Sequence, residues 1–256
     1  MLRLLLVLAV GGFAGAMTGL MGASGVMAVV PGMIMLGYSP HQAIGTSLAV
    51  DMTASVVVAY TYYHHGRIDL RQGIWIALAA VLGAQLGSRL STHVPDLDLS
   101  EGFAIFLLVS AVLLWHNGLR RELDKFQEWR IAAWVKAHPL FTSIAIGLWA
   151  GVYCGIFGAG GGLLFLFILL LLGYSLHVAV GTSTLIMALT TASGAVGYAA
   201  AGNLPYLTVG GVATGTVLGS LATARLANQL NERYLSRLIA VIFALLGLGL
   251  ILFPLI

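Results

Sequence analysis

The sequence predicts an all-α integral membrane protein, a polytopic bundle of helices built from two homologous repeats. Two observations predict this fold: the chain is too apolar for a soluble domain, and one sequence unit occurs twice. Of the 256 residues, 59% are hydrophobic and 8% are charged, whereas a soluble domain carries about 25% charged residues. A chain with so little polar surface needs a lipid bilayer as its solvent.

Charge and cysteine content exclude several other classes of protein. The formal net charge of +3 is small, and the basic residues cluster in loops, which is typical of orientation in a membrane rather than of nucleic-acid binding. The single cysteine, Cys154, cannot form an internal disulfide. No cysteine cluster predicts a metal site, and we expect no cofactor. The apolar N-terminus resembles a secretory signal, but residues from Gly11 onward recur inside the chain, so we expect this segment to belong to the fold.

The repeat is a gapless one. A constant shift, which places Leu36 on Leu172, aligns the two halves, and nine of the twelve positions in 36–47 are identical to those in 172–183. The shared residues include Leu-Gly-Tyr-Ser, a histidine and Gly-Thr-Ser, which low-complexity apolar sequence does not produce by chance. The sequence therefore predicts an internal duplication, and this alignment is called the repeat shift below.

Each half contains five apolar stretches, of which the second is much shorter than the others. The stretches are 2–22, 26–37, 41–63, 70–91 and 101–116, then 140–158, 161–173, 177–200, 206–224 and 235–254. Because a span needs about 20 apolar residues, each short stretch is either a half-helix or a short tilted span. We predict eight to ten transmembrane segments, with a first repeat at 1–116, a cytoplasmic or interfacial linker at 117–139 and a second repeat at 140–256.

Loop charges predict that the two repeats are inverted. In the first half Arg67 and Arg71 follow the third stretch, whereas in the second half Arg225, Arg233 and Arg237 follow the fourth. If each half crosses an odd number of times, all of these residues lie in the cytoplasm, as the positive-inside rule requires. The alternative is two parallel halves in which the second stretch is re-entrant.

Glycine-rich breaks precede both short stretches. Inverted repeats with broken helices at matching positions indicate the binding site of a transporter. Glycine leaves backbone N–H groups unshielded, and the helix that follows adds a positive dipole end, so such a break suits a small anion. The residues predicted to bind substrate here are Gly22, Ala23, Ser24 and Gly25 in the first break, and Gly158, Ala159, Gly160, Gly161 and Gly162 in the second. Glycines at four-residue spacing before each break favour close helix packing instead.

A second paired element follows the short stretches. Thr46 and Ser47 match Thr182 and Ser183. Their hydroxyls can donate to a bound oxyanion, or they can return a hydrogen bond to their own helix. Because the pair occurs twice in the same register, we also predict these four residues to bind substrate.

Three titratable residues are candidates for proton coupling. Asp51 is the only carboxylate in the interior of an apolar stretch, away from its ends, with Met187 as its counterpart, and ionisable residues inside a membrane are functional candidates by default. The alternative is a protonated or histidine-paired structural acid. His41 and His177 lie at stretch junctions and can titrate near neutral pH, or they can serve as interfacial anchors.

These residues resemble the sulfite exporter TauE/SafE family of membrane permeases. The resemblance rests on the Gly-rich break, the short apolar run, Leu-Gly-Tyr-Ser and Ala-x-Gly-Thr-Ser, all of which occur twice, and it is strongest at 158–183. The first copy departs from the family, with Ser24 where glycine is common and Val26 after it. The resemblance covers essentially the whole chain. It implies transport, usually outward, of sulfur-containing anions such as sulfite and organosulfonates, and seven or eight spans.

The sequence thus predicts a secondary transporter of a small anion in a bacterial-type inner membrane, working by alternating access between the two halves. The resemblance narrows the anion to a sulfur-containing oxyanion. An anion channel with the same central site is the alternative. We do not expect an enzyme, because the sequence contains no His-x-x-x-His, Gly-x-Ser-x-Gly or paired intramembrane acids. The expected partners are the anion, the lipid bilayer and protons; the sequence does not fix an oligomeric state.

Overall fold

A computed structural model describes residues 2–21, 25–127, 139–158, 161–172, 174, 176–227 and 232–252. Every regular element in these ranges is helical, as predicted. The first half contains α1 (Leu2–Met21), a 3₁₀ turn (Gly25–Ala28), α2 (Val29–Met35), α3 (Pro40–His64), α4 (Leu70–Ser91) and α5 (Asp96–Gln127). The second contains α6 (Pro139–Phe157), α7 (Gly162–Leu171), α8 (Leu176–Ala200), α9 (Tyr206–Ala227) and α10 (Glu232–Leu252).

The helices repeat with the sequence. The repeat shift carries both ends of α3 onto those of α8, and both ends of α4 onto those of α9. The same shift carries the first residue of α5 onto that of α10. The turns before α4 and α9 match as well, since Gly66 and Gly202 both have positive φ. The predicted duplication is therefore present in the backbone.

The two halves are interleaved rather than side by side. The first helix of each half packs against the fourth helix of the other, so that α1 lies along α9 and α6 lies along α4. The equivalent helices α3 and α8 pack on each other, as do α5 and α10. This set of pairs is unchanged when the halves are exchanged, which defines a pseudo-twofold axis between them.

The direction of the equivalent helices confirms that the halves are inverted. Gly45, near the start of α3, lies beside Tyr198 at the end of α8, where an added Cβ would be 3.0 Å from the Tyr198 Cβ. Gly181, near the start of α8, lies in the same way beside Tyr62 at the end of α3. Because α3 and α8 are antiparallel, the pseudo-twofold axis is perpendicular to the helices, as in inverted-topology transporters.

The short second stretch carries the chain back across the bundle. Arg3, at the start of α1, lies 4.7 Å over the ring of Tyr38, which immediately precedes α3. Thus α1 and α3 begin on the same side, and the 3₁₀ turn and α2 bring the chain back between them. Each half crosses an odd number of times, which excludes the parallel arrangement with a re-entrant second stretch.

Four helices of the described part are long and apolar enough to cross a membrane: Pro40–His64, Gly73–Ser91, Leu140–Phe157 and Val178–Ala200. Shorter apolar segments occur at Arg3–Thr18 in α1 and Ala240–Leu252 in α10. The chain is thus a polytopic helical membrane protein. Helix α5 continues to Gln127, inside the predicted linker, and residues 128–138 lie outside the described residues, so the division at 116 and 139 stays a prediction.

Glycines before each break form the closest helix contacts. A Cβ on Gly151 would overlap the Ala80 carbonyl oxygen of α4, and a Cβ on Gly15 would overlap the Thr216 carbonyl oxygen of α9. Small residues allow two backbones to approach this closely. The packing interpretation of these earlier glycines is therefore correct.

Candidate functional site

The second glycine-rich break separates α6 from α7 in the interior of the bundle. Gly158 and Gly161 are buried and adopt the left-handed region, with φ of 65° and 63°. Gly161 occupies the N-cap of α7 and, as a glycine, supplies no side-chain cap. The first N–H groups of a helix have no partner within it, so α7 presents donors and a positive dipole end at this break. Ala159 and Gly160 lie outside the described residues.

This break packs against the third helix of the opposite half. The Ser47 hydroxyl on α3 donates a 3.1 Å hydrogen bond to the Gly158 carbonyl oxygen. One turn earlier, Ile44 packs on the same glycine, where an added Cβ would lie 2.8 Å from the Ile44 Cγ2. The structure therefore brings Ser47 to the break of the second half. In the first break, Gly22, Ala23 and Ser24 lie outside the described residues, and Gly25 opens the 3₁₀ turn.

Asp51 lies one turn further along the same face of α3. It is 3% exposed, and its carboxylate interacts electrostatically with Cys154 on α6. The Cys154 Sγ in turn packs against Gly161. Met187, the counterpart of Asp51, reaches the first residue of α7, where a Cβ on Gly162 would lie 2.7 Å from the Met187 Sδ. The break and the start of α7 thus lie beside the Ser47 hydroxyl and the sulfur atoms of Cys154 and Met187, and Asp51 lies one turn further along α3.

The Thr-Ser pair of the second half makes its hydrogen bonds away from the break. The Thr182 hydroxyl, which is fully buried, accepts a 3.0 Å hydrogen bond from the Asp69 backbone N–H, just before α4. The Ser183 hydroxyl donates to the Val180 carbonyl oxygen of its own helix, at 3.0 Å. In this conformation Ser183 makes the local backbone bond that the sequence left open as its alternative.

Thr46 has no equivalent of the Thr182 bond, and a proline explains why. Its hydroxyl is fully buried and has no hydrogen-bond partner among the residues that the structure describes. Under the repeat shift, the residue that corresponds to Asp69 is Pro205. Proline has no backbone N–H, so the donor that Thr182 uses does not exist for Thr46. Thr46 therefore retains a free buried hydroxyl.

The turns before α3 and α8 are also held in place by hydrogen bonds of their tyrosines. Tyr38 and Thr208 share a 3.1 Å hydroxyl–hydroxyl hydrogen bond. The equivalent Tyr174 donates its hydroxyl to Asp69. Burial, together with the Asp69 charge and this hydrogen bond, raises the pKa of Tyr174 to about 12. Tyr38 thus holds its turn to the first turn of α9, and Tyr174 holds the equivalent turn to the loop before α4.

Thr182→Val should destabilise the folded protein, whereas Thr46→Val should not. Valine at 182 leaves the Asp69 N–H without its partner, which costs about 1–3 kcal/mol. Valine at 46 replaces a hydroxyl that bonds to no described residue. Thermal unfolding of the two purified variants in the same detergent measures the difference. Equal unfolding temperatures would show that the Asp69–Thr182 hydrogen bond contributes nothing.

A hydrogen-bonded network on the α3 N-terminal side was not predicted. His41 Nδ1 lies 2.6 Å from an Asp96 carboxylate oxygen, and Nε2 lies 2.8 Å from the Ser91 carbonyl oxygen. Since both neighbours accept, the imidazole satisfies both when it carries two N–H donors. The buried Tyr198 hydroxyl donates to the Ser91 Oγ at 2.7 Å and lies 3.0 Å from the Gly155 carbonyl oxygen, one turn before the break.

One sequence signal could have found this network. The repeat shift carries His41 onto His177 and Asp96 onto Glu232, so each half pairs a histidine with an acid at matching positions. The side chain of His177 lies outside the described residues. His41 therefore lies at the N-terminus of α3, in contact with Asp96 and the Ser91 carbonyl oxygen.

An all-helical membrane bundle of inverted repeats with a broken helix at its centre defines a membrane transport protein. The chain belongs to the sulfite exporter TauE/SafE family, whose family model matches residues 7–250. The relatives are named as transporters, which confirms that the chain is a transporter rather than an enzyme.

Three relatives match along nearly the full length of both chains. "Probable membrane transporter protein YdhB" of Bacillus subtilis is 28% identical over 237 residues, covering 91% of this chain and 94% of the relative. "Probable membrane transporter protein YunE" of the same organism is 24% identical over 255 residues, covering 93% of each. "Probable membrane transporter protein y4hK" of Sinorhizobium fredii is 24% identical over 242 residues, covering 92% of each. No solved structure matches the chain.

Proposed function

We propose that this transporter moves a small oxyanion, of the sulfur-containing class that includes sulfite and organosulfonates, across a bacterial-type inner membrane. The observation that carries the proposal is the uncapped start of α7, buried in the bundle beside Ser47. An anion there accepts hydrogen bonds from backbone N–H groups and gains from the helix dipole. The family to which the chain belongs supports the sulfur-containing class.

Sulfur chemistry around the site is compatible with this substrate. The Cys154 Sγ and the Met187 Sδ border Gly161 and Gly162, and these polarisable atoms pack well against a polarisable anion. No arginine or lysine occurs in α3, α6, α7 or α8. An anion held by amides and hydroxyls, without a full positive charge beside it, binds weakly enough to leave again.

Alternating access follows from the inverted repeats. The halves are related by a pseudo-twofold axis across the membrane, so an exchange of their two conformations opens the site to the opposite side. The contacts at the two ends of the antiparallel pair of α3 and α8 would open in turn. One is held by the Asp69–Thr182 hydrogen bond, and the other contains the unpartnered Thr46.

Flux into proteoliposomes tests the proposal. Purified protein is reconstituted, and uptake of radiolabelled sulfite, thiosulfate and sulfoacetate is measured with wild type, Ser47→Ala and Ser220→Ala. We expect saturable uptake that is accelerated by unlabelled anion on the opposite side. Ser47→Ala should lower the flux, since the break loses the bond that fixes Gly158; Ser220, whose hydroxyl bonds only to its own helix, serves as the control.

The other outcomes are equally informative. Flux that rises with concentration without saturation, and shows no counterflow, would establish the anion channel instead of the carrier. The absence of flux for all three anions would overturn the sulfur-oxyanion class and leave the membrane transport fold in place.

A further inference from the structure

Asp51 lies at the centre of the molecule. It is the twelfth of the 25 residues of α3, near the level at which α3 crosses α8, since Leu48 packs on Gly194. Its counterpart in the second repeat is Met187. The duplicated fold therefore contains one carboxylate at a position where two would be symmetric.

The register between α3 and α6 directs Asp51 towards the start of α7. Ser47 bonds to Gly158, and Asp51, one turn later on α3, interacts with Cys154, one turn earlier on α6. From the first pair to the second, the chain advances by one turn on α3 and goes back by one turn on α6. Because the Cys154 Sγ packs against Gly161, the carboxylate lies on the same side of the break as the uncapped end of α7.

No described residue donates a hydrogen bond to the Asp51 carboxylate or forms an ion pair with it. Cys154 faces it from α6, and Tyr153, which is next to Cys154, interacts with that thiol. The 3₁₀ turn, α2 and α7 carry no titratable side chain. The other helices that pack on α3 carry theirs towards their ends: His177 and Tyr198 in α8, Tyr206 and Arg225 in α9, and Asp96, Asp98, Glu101, His116, Arg120, Arg121, Glu122, Asp124 and Lys125 in α5.

We infer that anion binding at the start of α7 is linked to protonation of Asp51, so that the protein takes up one proton with each anion it binds. This inference rests on the proposed function. The helix end can stabilise one negative charge. Two anions held close together in a site from which water is largely excluded repel each other strongly, so either Asp51 is ionised or the substrate is bound.

The balance of protons and charge follows from this competition. When the anion enters, a proton from solvent is bound by an Asp51 carboxylate oxygen. When the anion leaves, that proton is released on the side of the membrane to which the anion leaves. A monovalent anion and one proton cross together without net charge. Because Met187 cannot titrate, one carboxylate sets the ratio at one proton for each anion.

The sign of the pH dependence is fixed by linkage. If the anion favours protonated Asp51, protons favour the anion to the same extent. Affinity therefore falls as pH rises, by up to about tenfold for each pH unit over the range in which Asp51 is ionised in the free protein. Once Asp51 is protonated in the free protein, at lower pH, affinity is constant.

Calorimetric titration of the full chain in detergent tests this linkage. Thiosulfate and ethanesulfonate are the probes, because both stay fully ionised around neutral pH and take up no proton themselves. Each is titrated at several pH values in two buffers with different ionisation enthalpies, so that the difference in heat reports the protons bound. We expect up to one proton for each anion in the wild type, and neither proton uptake nor pH-dependent affinity in Asp51→Asn. Asp98→Asn, which removes an exposed carboxylate, should behave as wild type.

The two proposals fail in different ways. Binding without proton uptake in the wild type, or unchanged uptake in Asp51→Asn, would overturn the linkage and leave anion transport standing. No binding of either anion to any variant at any pH would contradict the proposed function itself. If Asp51→Asn does not fold, the buffer comparison on the wild type decides the question, and Asp51→Ser provides a second uncharged variant.

Discussion

Gly219→Ala should prevent the folded protein from accumulating, whereas Gly210→Ala in the same helix should leave it unchanged. A methyl group on Gly219 would overlap the Gly12 carbonyl oxygen and lie 2.9 Å from the Ala16 nitrogen. Both are backbone atoms of α1, so no side chain can rotate away and the two helices must separate. We expect a loss at or above about 3 kcal/mol, the upper end for overpacked cores.

Gly210 is the matched control because it lies in α9 with nothing within 4 Å of an added Cβ. Alanine there gains helix propensity of up to about 1 kcal/mol. Fluorescence-detected size-exclusion chromatography of both variants, expressed in parallel, measures the yield of monodisperse protein. A sharp wild-type peak for Gly219→Ala would show that α1 and α9 are not packed backbone to backbone.

Gly161→Ala should abolish anion flux, while Gly202→Ala should retain it. Both glycines have positive φ, 63° and 75°, so alanine pays a similar penalty of about 1–2 kcal/mol at each. Only at Gly161 does the new methyl group also collide, overlapping the Cys154 Sγ and lying 2.9 Å from the Phe165 ring. Relief of that collision displaces the N-cap of α7 and the donors that the proposed site uses.

Proteoliposome uptake of the three labelled anions, normalised to reconstituted protein, separates the two variants. A displacement that weakens anion binding by about 1.4 kcal/mol lowers the affinity tenfold. The uptake by Gly161→Ala should therefore be at least tenfold lower than the uptake by Gly202→Ala. The unfolding temperature of each variant is measured alongside, so that a loss of flux can be told from a loss of folded protein. Equal flux in both variants would remove the start of α7 from the transport site.

The repeated Thr-Ser pair shows where sequence patterns stop being informative. The sequence pattern predicted one role, substrate binding, for Thr46, Ser47, Thr182 and Ser183, because the repeat shift compares residue types only. The fold separates them. Ser47 bonds to the break of the other half. Thr182 accepts a hydrogen bond from the backbone just before α4. Thr46 lacks the equivalent donor because Pro205, in the other half of the chain, has no N–H.

The His41–Asp96 pair shows the converse. Both residue types recur at matching positions in the two repeats, but the two residues are far apart along the chain, and apolar periodicity does not indicate which helix ends meet. The N-terminus of α3 lies against the end of α4 and the start of α5, and His41 therefore contacts both Ser91 and Asp96. That contact depends on how the helices pack.

The sequence by itself determined the membrane class, the duplication, the inverted orientation and the glycine-rich breaks. These properties depend on local composition, on a fixed shift along the chain and on charges in loops, all of which can be counted. Tertiary structure alone decided that the halves interleave, that the second break lies against α3 and that Asp51 is buried one turn away from Ser47, which bonds to that break. These are contacts between distant segments, and they depend on which small-residue faces allow two backbones to approach. A close approach needs the glycines of both helices in register, and a single chain read in order does not show that register.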